Sequence, residues 1–329
     1  MKCRVCGKPA NISLKSYSTA LCSEDFVSFF EKRVLTTINK YKLIQEGDKP
    51  IIAVSGGKDS LTLWHIVNKL GFEVDGIYVN LGIEGYSDVS FSKIKAMADR
   101  IGRKVFVFPV LDILGKDVKE LSKVLRRVPC SACGMIKRYV MNRICMDEGY
   151  NVLMTGHNLD DEASALLGNV LYWKDEYLWK KNVVLEGREG QLSKKVKPLF
   201  LCSERESAAY AIINGIDYVY EECPFSVDAK SLVYKGILNK LEESSPATKI
   251  AFVKGYLKIA KDMRAGSGGG KKKREEDGSC RVCGYPSYGD QCSMCRLMEK
   301  MGIMEAVRFN VYADGQIRNS NIEARYNVK

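Results

Sequence analysis

No stretch of the 329-residue sequence is apolar for long enough to cross a membrane, which takes about 20 residues of helix. The first residues, MKCRVCGKPA, also lack the apolar core of a secretory signal. We therefore expect a cytoplasmic protein with no membrane partner. The GxxxxGKS or GxxxxGKT loop of the P-loop NTPases is absent too, which excludes that class of nucleotide-binding protein.

Acidic residues are fewer than basic ones, 40 against 51, and the net charge is +11. An excess of this size favours an anionic partner such as nucleic acid, although a well-solvated basic surface would have the same composition. The sequence also contains 12 cysteines. Because a reducing cytosol disfavours disulfides, we interpret clustered cysteines as metal ligands or catalytic groups.

The segment IIAVSGGKDS, residues 51–60, has the layout of a phosphate-binding loop. Its four apolar residues predict a buried strand, and helical apolar spacing begins at Leu61. Between them, two glycines allow a ligand to approach closely, while hydroxyls, backbone N–H groups and the helix N-terminus donate to an anion. A plain strand-to-helix turn is the alternative. The loop resembles the SGGxDS signature of the PP-loop ATP pyrophosphatases, which split ATP between its α and β phosphates.

Strand and helix patterns alternate along the chain after this loop. This alternation predicts an α/β fold, a doubly wound parallel sheet with helices on both faces. Ligands bind beyond the carboxyl ends of such strands, so the segments that follow them are expected to converge on one nucleotide. The predicted strands are 74–80, 104–110 and 151–155, and the predicted helices are 26–41, 89–101, 118–125, 162–171, 204–214, 231–241 and 248–263.

The segment GHNLDDE, residues 156–162, follows the last of these strands. One of its adjacent carboxylates can hold Mg²⁺ against a triphosphate, because Mg²⁺ prefers hard oxygen ligands. Asp160 as a plain N-cap, with two more acidic residues in the first helical turn, is an equal alternative. We interpret His157 as a positioning or packing group, since the sequence gives it no partner as a base.

Two cysteine clusters have the spacing of zinc ligands. Near the N-terminus, a zinc knuckle is predicted from Cys3, Cys6 and Cys22, with Asp25 as the fourth ligand where Cys or His is usual. Three thiols in a disordered N-terminus are the alternative. A compact zinc ribbon, which needs its metal to fold, is predicted near the other end from Cys280, Cys283, Cys292 and Cys295.

A third cluster, Cys130 and Cys133, opens a predicted helix. A helix N-terminus favours thiolates, which suits a redox pair, a metal or an iron–sulfur cluster. Cys223 is a candidate partner, and three cysteines are one short of a full set of cluster ligands. The alternative for Cys223 is a small buried hydrophobe.

These features divide the chain into five predicted parts. They are an N-terminal zinc knuckle (1–26), a catalytic domain with a helical C-terminal part (27–264), a flexible basic linker (265–278), a zinc ribbon (279–300) and a tail of unknown role (301–329). Within the tail, residues 307–312 have the pattern of an additional strand.

The motifs SGGKDS, PCSACGMIKRY, GHNLDDEA, KPL and EECPFS, in this order between two zinc modules, resemble the tRNA 2-thiouridine synthetases of the TtuA and NcsA type. The resemblance covers about Met1 to Leu297 and implies the fold of the PP-loop pyrophosphatases and adenine nucleotide α-hydrolases. Asp25 stands where the family usually has histidine, and the tail has no counterpart. The ATP-binding residues implied by the resemblance are Ala53, Ser55, Gly56, Gly57, Lys58, Asp59, Ser60, Gly156 and Asp161.

The resemblance implies a two-step thiolation of tRNA. The C2 oxygen of a uridine attacks the α-phosphorus of ATP and releases pyrophosphate, and a sulfur nucleophile then expels AMP to give 2-thiouridine. A [4Fe-4S] cluster on Cys130, Cys133 and Cys223 carries hydrosulfide on its open iron. The family positions implied to be catalytic are Asp59, Lys137, Asp161, Cys130 and Cys133.

The expected cofactors are therefore one [4Fe-4S] cluster, two Zn²⁺ ions, and ATP with Mg²⁺. The expected partners are tRNA and a sulfur donor, either sulfide or a thiocarboxylated ubiquitin-like protein, and the resemblance suggests a homodimer. Alternatives are another PP-loop tRNA modifier such as a cytidine 2-thiolase or a lysidine-type ligase, a persulfide on one of the paired cysteines, and a non-enzymatic zinc or iron–sulfur RNA-binding protein. The sequence leaves open whether uridine 34 or 54 is modified.

Overall fold

The computed structural model describes residues 1–226, 230–266, 278–303 and 309–320. All residues named above as ligands or catalytic groups lie in these ranges. Most of the predicted linker lies outside them, and its first two residues end a helix. In the described ranges, no helix is both long and apolar enough to cross a membrane.

The strands of the described residues agree with the predicted alternation. Where strands were predicted from the apolar runs, strands are observed within one or two residues of the expected bounds. The strands are β1 (Ile12–Leu14), β2 (Thr19–Leu21), β3 (Pro50–Ala53), β4 (Asp75–Asn80), β5 (Val105–Pro109), β6 (Val152–Thr155), β7 (Val184–Leu185), β8 (Lys194–Val196), β9 (Phe309–Ala313) and β10 (Gln316–Ser320).

Helices connect these strands and cover the sheet. Several of them begin earlier than predicted because their first turns are polar. The helices are α1 (Ser23–Lys40), α2 (Lys58–Lys69), α3 (Tyr86–Ile101), α4 (Val110–Leu114), α5 (Val118–Leu125), α6 (Pro129–Asp147), α7 (Leu159–Leu171), α8 (Asp175–Lys180), α9 (Glu204–Ile213), α10 (Lys230–Ser244), α11 (Thr248–Gly266) and α12 (Ser293–Lys300).

A sheet with the strand order β10-β9-β5-β4-β3-β6-β8-β7 organises the molecule. The strands from β5 to β8 in this order run parallel to their neighbours. Antiparallel strands are added at both edges, β7 on one side and the β9-β10 hairpin on the other. The predicted doubly wound parallel sheet is therefore confirmed, with antiparallel edges that the sequence did not indicate.

Alternate residues of the central strands face opposite hydrophobic layers. Ile52 belongs to the layer formed with α1, α2, α3 and α9. Ile51 belongs to the layer formed with α5, α6 and α12. Because both faces are covered, these strands are continuous apolar runs in the sequence.

The contact between Trp64 and Gly76 fixes α2 on the sheet. The Trp64 indole N–H donates to the carbonyl of Val74 at 2.7 Å, and the ring is fully buried. Gly76 in β4 leaves room for the ring, since an added Cβ would lie 3.1 Å from it. This contact with the sheet thus holds in place the helix that carries the glycine loop at its N-terminus.

The two cysteine modules pack on opposite faces of the sheet. Cys3 and Cys22 are part of the first layer, and Cys280 and Cys295 are part of the second. The strand predicted in the tail is observed as β9, which pairs with β5. Part of the tail therefore completes the sheet of the domain predicted to be catalytic.

Candidate active site

The loop between β3 and α2 is held by the hydroxyl of Ser60. This oxygen accepts from the Ser55 N–H at 3.1 Å and donates to the Gly57 carbonyl at 3.0 Å. Gly57 is the N-cap of α2 and has no side chain to occupy the first N–H groups of the helix. These N–H groups are the ones that bind phosphate at helix N-termini.

Two glycines allow the backbone segments around the loop to approach each other. Gly56 has a φ of +79°, and an added Cβ would lie 2.9 Å from the Ser90 Cα atom. An added Cβ on Gly156 would lie 2.8 Å from the Ser60 nitrogen. No residue larger than glycine fits at either position without moving backbone.

A cavity of about 440 Å³ opens beside this loop. It lies at the carboxyl ends of β3, β4 and β6, as expected for a parallel sheet. The segments that follow β3, β4 and β6 were predicted to converge on one site, and residues of all three line this cavity. Among the residues that line the cavity are Ala53, Ser55, Gly57, Asp59, Ser60, Cys133, Lys137, Gly156, His157, Asp161 and Cys223.

Three acidic residues begin α7, each of them is ion-paired to a lysine, and they differ in whether they line the cavity. Asp160 forms a buried ion pair with Lys249. Glu162 lies 3.1 Å from Lys181 and is also buried. Asp161 is paired with Lys235 and is the one of the three that lines the cavity.

Helix α7 is capped by Asn158, and the alternative that Asp160 is the N-cap is wrong. Asn158 Oδ1 accepts from the Asp161 N–H at 3.0 Å, and Asp161 Oδ2 accepts from the Asn158 N–H at 3.2 Å. This reciprocal capping box holds the Asp161 carboxylate in the first turn.

Lysines and carboxylates alternate in a network next to the loop between β3 and α2, and of its members Asp59 and Asp161 line the cavity. Lys58 lies 3.1 Å from Asp59 and 2.6 Å from Glu204. Lys235 bridges the other oxygen of Glu204, at 3.3 Å, to Asp161 Oδ1, at 2.7 Å. The network thus connects α2, α7, α9 and α10 around the place where a triphosphate would lie.

Asp59 has the features of a metal ligand. Burial raises the pKa of its carboxyl group, and the positive charge of Lys58 opposes the rise. Its Oδ1 atom is buried and lacks a hydrogen bond of normal geometry within the described residues. A buried carboxylate oxygen without a donor is stabilised by a bound cation such as Mg²⁺.

Two of the three candidate cluster cysteines line the cavity, and the third contacts the turn after Cys223. Cys133 and Cys223 line it, while Cys130 is exposed and donates its S–H to the Phe225 carbonyl at 3.0 Å. The turn after Cys223 is closed by the Ser226 N–H, which donates to the Cys223 carbonyl at 2.9 Å. The hydrogen bond from Cys130 to Phe225 therefore connects the start of α6 to this turn.

The three candidate cluster thiols are not all as close together as the ligands of the two terminal modules. Within the described residues, the groups of three or more ligand atoms that all lie within 4.8 Å of one another are the two terminal modules. A four-iron cluster binds each cysteine through a different iron, so its thiolates stand further apart. The wider separation of Cys130, Cys133 and Cys223 is compatible with ligands of such a cluster.

The pKa of Cys133 departs from the sequence-based expectation. Burial raises the pKa of this thiol, the charge of Lys137 lowers it, and negative charge on Cys223 raises it further. The helix N-terminus was expected to favour a thiolate, but loss of solvation is the larger effect here. Iron displaces the proton when it binds, so a raised pKa is compatible with ligation.

The predicted zinc ligands lie together in both terminal modules. In the N-terminal module, Asp25 Oδ2 lies 3.0 Å from the Cys3 sulfur and 3.2 Å from the Cys22 sulfur. In the C-terminal module, the Cys283 and Cys292 sulfurs are 3.7 Å apart. Both modules supply the four ligands of a structural zinc site, all thiols in the ribbon and three thiols with one harder carboxylate in the N-terminal module.

The two modules are built alike, a relationship that the cysteine spacing alone did not reveal. CRVCGKP at residues 3–9 matches CRVCGYP at 280–286. In each, the third cysteine is the N-cap of a helix, Cys22 for α1 and Cys292 for α12. Asp25 therefore occupies the place that Cys295 has in the ribbon.

The chain is similar to known proteins over most of its length. A profile of the PP-loop domain matches residues 28–223. A tRNA-5-methyluridine(54) 2-sulfurtransferase of Pyrococcus horikoshii is 42% identical over 311 residues, which cover 94% of this chain and 97% of the relative. The chain belongs to this PP-loop family of tRNA 2-sulfurtransferases. The enzyme of the same name from Thermus thermophilus is 40% identical over 299 residues, 91% of each chain.

Solved structures include a further relative of this PP-loop sulfurtransferase family. The U34-tRNA thiolase NcsA of Methanococcus maripaludis, determined with its [4Fe-4S] cluster, is 28% identical and superposes with a TM-score of 0.76. The match covers 93% of this chain and 98% of that one. The likeness therefore extends over the terminal modules as well as the PP-loop domain.

Glu204 and Lys235 contact predicted site residues, and the sequence indicated neither of them. Glu204 is paired with Lys58 and Lys235 with Asp161. They lie on α9 and α10, far along the chain from the glycine loop, and only tertiary packing brings them to it. No local motif marks them, so a single sequence gives no signal for either.

Proposed function

We propose that the protein is an ATP-dependent tRNA 2-sulfurtransferase, which replaces the C2 oxygen of a tRNA uridine by sulfur. One observation carries the proposal. The phosphate loop, the carboxylates Asp59 and Asp161, and the thiols Cys133 and Cys223 line the same cavity. The groups that would bind ATP and the thiols that would deliver sulfur therefore surround the same space, in which one substrate atom can meet both.

The first step is adenylation of the uridine. The N–H groups at the start of α2 and the ammonium of Lys58 bind the phosphates, and Asp59 and Asp161 would hold Mg²⁺, which supplies positive charge against the phosphates. The C2 oxygen attacks the α-phosphorus, and pyrophosphate leaves. Lys137, which lines the cavity from α6, stabilises negative charge that develops in the transition state.

The second step replaces the activated oxygen. Cys130, Cys133 and Cys223 would hold a [4Fe-4S] cluster, which supplies a binding site for the incoming sulfur. The sulfur nucleophile attacks C2, and the C2–O bond breaks to release AMP. Adenylation is needed because a carbonyl oxygen is a poor leaving group until it is phosphorylated.

The terminal modules have a supporting role in this proposal. Cys3, Cys6, Cys22 and Asp25 would hold one Zn²⁺, and the four cysteines of the ribbon another. The ribbon packs against α6, since Tyr285 contacts Tyr139 with ring centroids 5.2 Å apart. Its metal thereby supports the helix that carries the paired cysteines.

We propose uridine 54, in the form of 5-methyluridine, as the modified position. The relatives named for that substrate are 40–42% identical to this chain. Position 34 is the second candidate, since the structure of a U34-tRNA thiolase superposes over nearly the whole chain at 28% identity. We further propose that the sulfur donor is sulfide or a thiocarboxylated ubiquitin-like protein. The proposed assembly is a homodimer, and the proposed location is the cytoplasm.

Anaerobically purified protein tests the cofactor set. Iron, acid-labile sulfide and zinc are measured for the wild type and for Cys223→Ala, with Cys145→Ala as a matched control because Cys145 is buried away from the cavity lining. We expect about four irons and four sulfides per chain, lost in Cys223→Ala and kept in the control, with unchanged zinc. Zinc without iron in the wild type would favour a persulfide on the paired cysteines.

Transfer RNA transcripts test the reaction. With transcripts first methylated to 5-methyluridine at position 54, wild-type protein with cluster, ATP and sulfide should form AMP and 5-methyl-2-thiouridine, located by mass spectrometry after nuclease digestion. A transcript with cytidine at position 54 should remain unmodified, and one with cytidine at position 34 should be thiolated normally. The reverse result would assign position 34, and absence of AMP with every transcript would contradict the proposed function.

A further inference from the structure

A strip of unpaired cations leads to the paired cysteines. Its members, all exposed, are Lys119 and Lys123 on α5, Arg126 and Arg127 after it, and Arg138 on α6. Among the described residues, none of the five forms an ion pair. By contrast, Lys93 on α3 is paired with Asp217 at 2.7 Å.

The carboxylates at the start of α5 form no ion pair with the cations of this strip. Asp117 and Glu120 form a capping box at the N-terminus of the helix, where each accepts the backbone N–H of the other at 2.7 and 3.2 Å. Both are thus engaged at the end away from the arginines. The helix rises about 1.5 Å per residue, so Lys119 and Lys123 stand one turn apart on one face.

The strip ends at the site. Arg127 is three residues before Cys130, a distance that the chain spans with at most about 11 Å. The Arg138 side chain lies next to Gly134, the residue after Cys133 in α6, since an added Cβ on Gly134 would lie 2.9 Å from the Arg138 Nη1 atom. Because Lys137 and Cys133 line the cavity beside them, the cations border its cysteine side.

We propose that this cationic strip binds the phosphate backbone of the tRNA and directs the target uridine past Cys130 into the cavity. The inference rests on the proposed function and adds the surface on which the substrate docks. Unpaired cations bind a polyanion mainly by releasing counterions, so affinity falls with salt. Contacts of this kind position an RNA without reading its sequence.

The test is a charge reversal of Arg126→Glu with Arg127→Glu in the full-length protein. The matched control is Lys254→Glu with Lys258→Glu, two exposed residues of α11, a helix that packs on α7. Binding of an unmodified tRNA transcript is measured by fluorescence anisotropy over a series of salt concentrations. We expect the arginine variant to bind at least about tenfold more weakly at low salt, with a log–log slope shallower by about one to two.

Further measurements distinguish a loss of tRNA binding caused by misfolding from a loss caused by the changed charge of the strip. ATP affinity, zinc content and iron content should be the same in the variant and the wild type, and Arg126→Gln with Arg127→Gln should have an intermediate tRNA affinity. Unchanged tRNA affinity and slope in the reversed variant would overturn the inference, as would an equal loss in the α11 control. Failure of the wild type to bind any tRNA would instead contradict the proposed function.

Discussion

The ammonium group of Lys235 lies 2.7 Å from a carboxylate oxygen of Asp161. The same ammonium contacts Glu204, which in turn contacts Lys58 of the phosphate loop. Although burial opposes it, these carboxylates raise the pKa of Lys235, so it stays protonated. A cation on α10 therefore neutralises a proposed Mg²⁺ ligand on α7.

Replacement of Lys235 by Met should weaken ATP binding. Without its charge, three carboxylates face the phosphates with Lys58 as their cation, and affinity for Mg²⁺-ATP should fall about tenfold or more. Calorimetry measures this affinity, and Lys240→Met, at an exposed position of the same helix, is the control. Equal affinities in both variants would show that Lys235 has no part in the site.

Replacement of Gly156 by Ala should disturb the phosphate loop. The added Cβ would meet backbone atoms of Ser60 at 2.8 and 2.9 Å, which cannot move without shifting the start of α2. We expect a loss of stability of about 1–3 kcal/mol together with weaker ATP binding. Gly236→Ala on α10, where an added Cβ meets nothing within 4 Å, should retain both properties. A fully stable Gly156→Ala variant with normal ATP affinity would contradict the close-approach explanation.

The two proposed zinc ions should differ in how firmly they are held. A carboxylate is a harder ligand than thiolate, so the module with Asp25 should lose its zinc to a chelator before the Cys₄ ribbon does. Asp25→His should slow this release about tenfold, and Asp25→Ala should speed it. Zinc release is followed with a colorimetric chelator. Release of both ions in a single phase from the wild type would contradict the prediction.

His65 should make the fold sensitive to acid. Burial lowers its pKa to about 4, against about 6.5 in an unfolded chain. Between these values the unfolded chain binds a proton that the folded protein does not, so stability decreases as the pH falls through this interval. In His65→Gln, which can still contact Tyr210, the decrease should be smaller by roughly 2 kcal/mol once solvent screening of this partly exposed group is allowed for. Urea unfolding at several pH values measures it, and parallel curves for the two proteins would disprove it.

The sequence predicted the sheet well because its strands are buried on both faces. Strands such as β5, VFVFP, stand out as apolar runs between polar segments. Helix starts were less accurate. The predicted start of α7 was residue 162, whereas the helix begins at Leu159, because the capping residue Asn158 carries no apolar signal.

The residues of the candidate sites were predictable where one short segment contains most of the residues of a binding site. The glycine loop and both zinc modules are local motifs, and their residues lie together as expected. Partners across the chain were not predictable. The pairing of Asp160 with Lys249, which removes one carboxylate from the site, joins residues 89 positions apart. Such contacts depend on tertiary packing, which one sequence does not encode in any local pattern.

The β9-β10 hairpin has a consequence for solubility. Without it, β5 would be the edge of the sheet, an apolar strand with unpaired backbone groups that other chains could extend. With it, β10 is the outermost strand of the described residues on this side, and Gln316, Ile317 and Arg318 are exposed there. A charged residue at an edge hinders pairing between molecules. The hairpin thus pairs the backbone of β5 through β9 and moves the open edge to a strand that carries a charged residue.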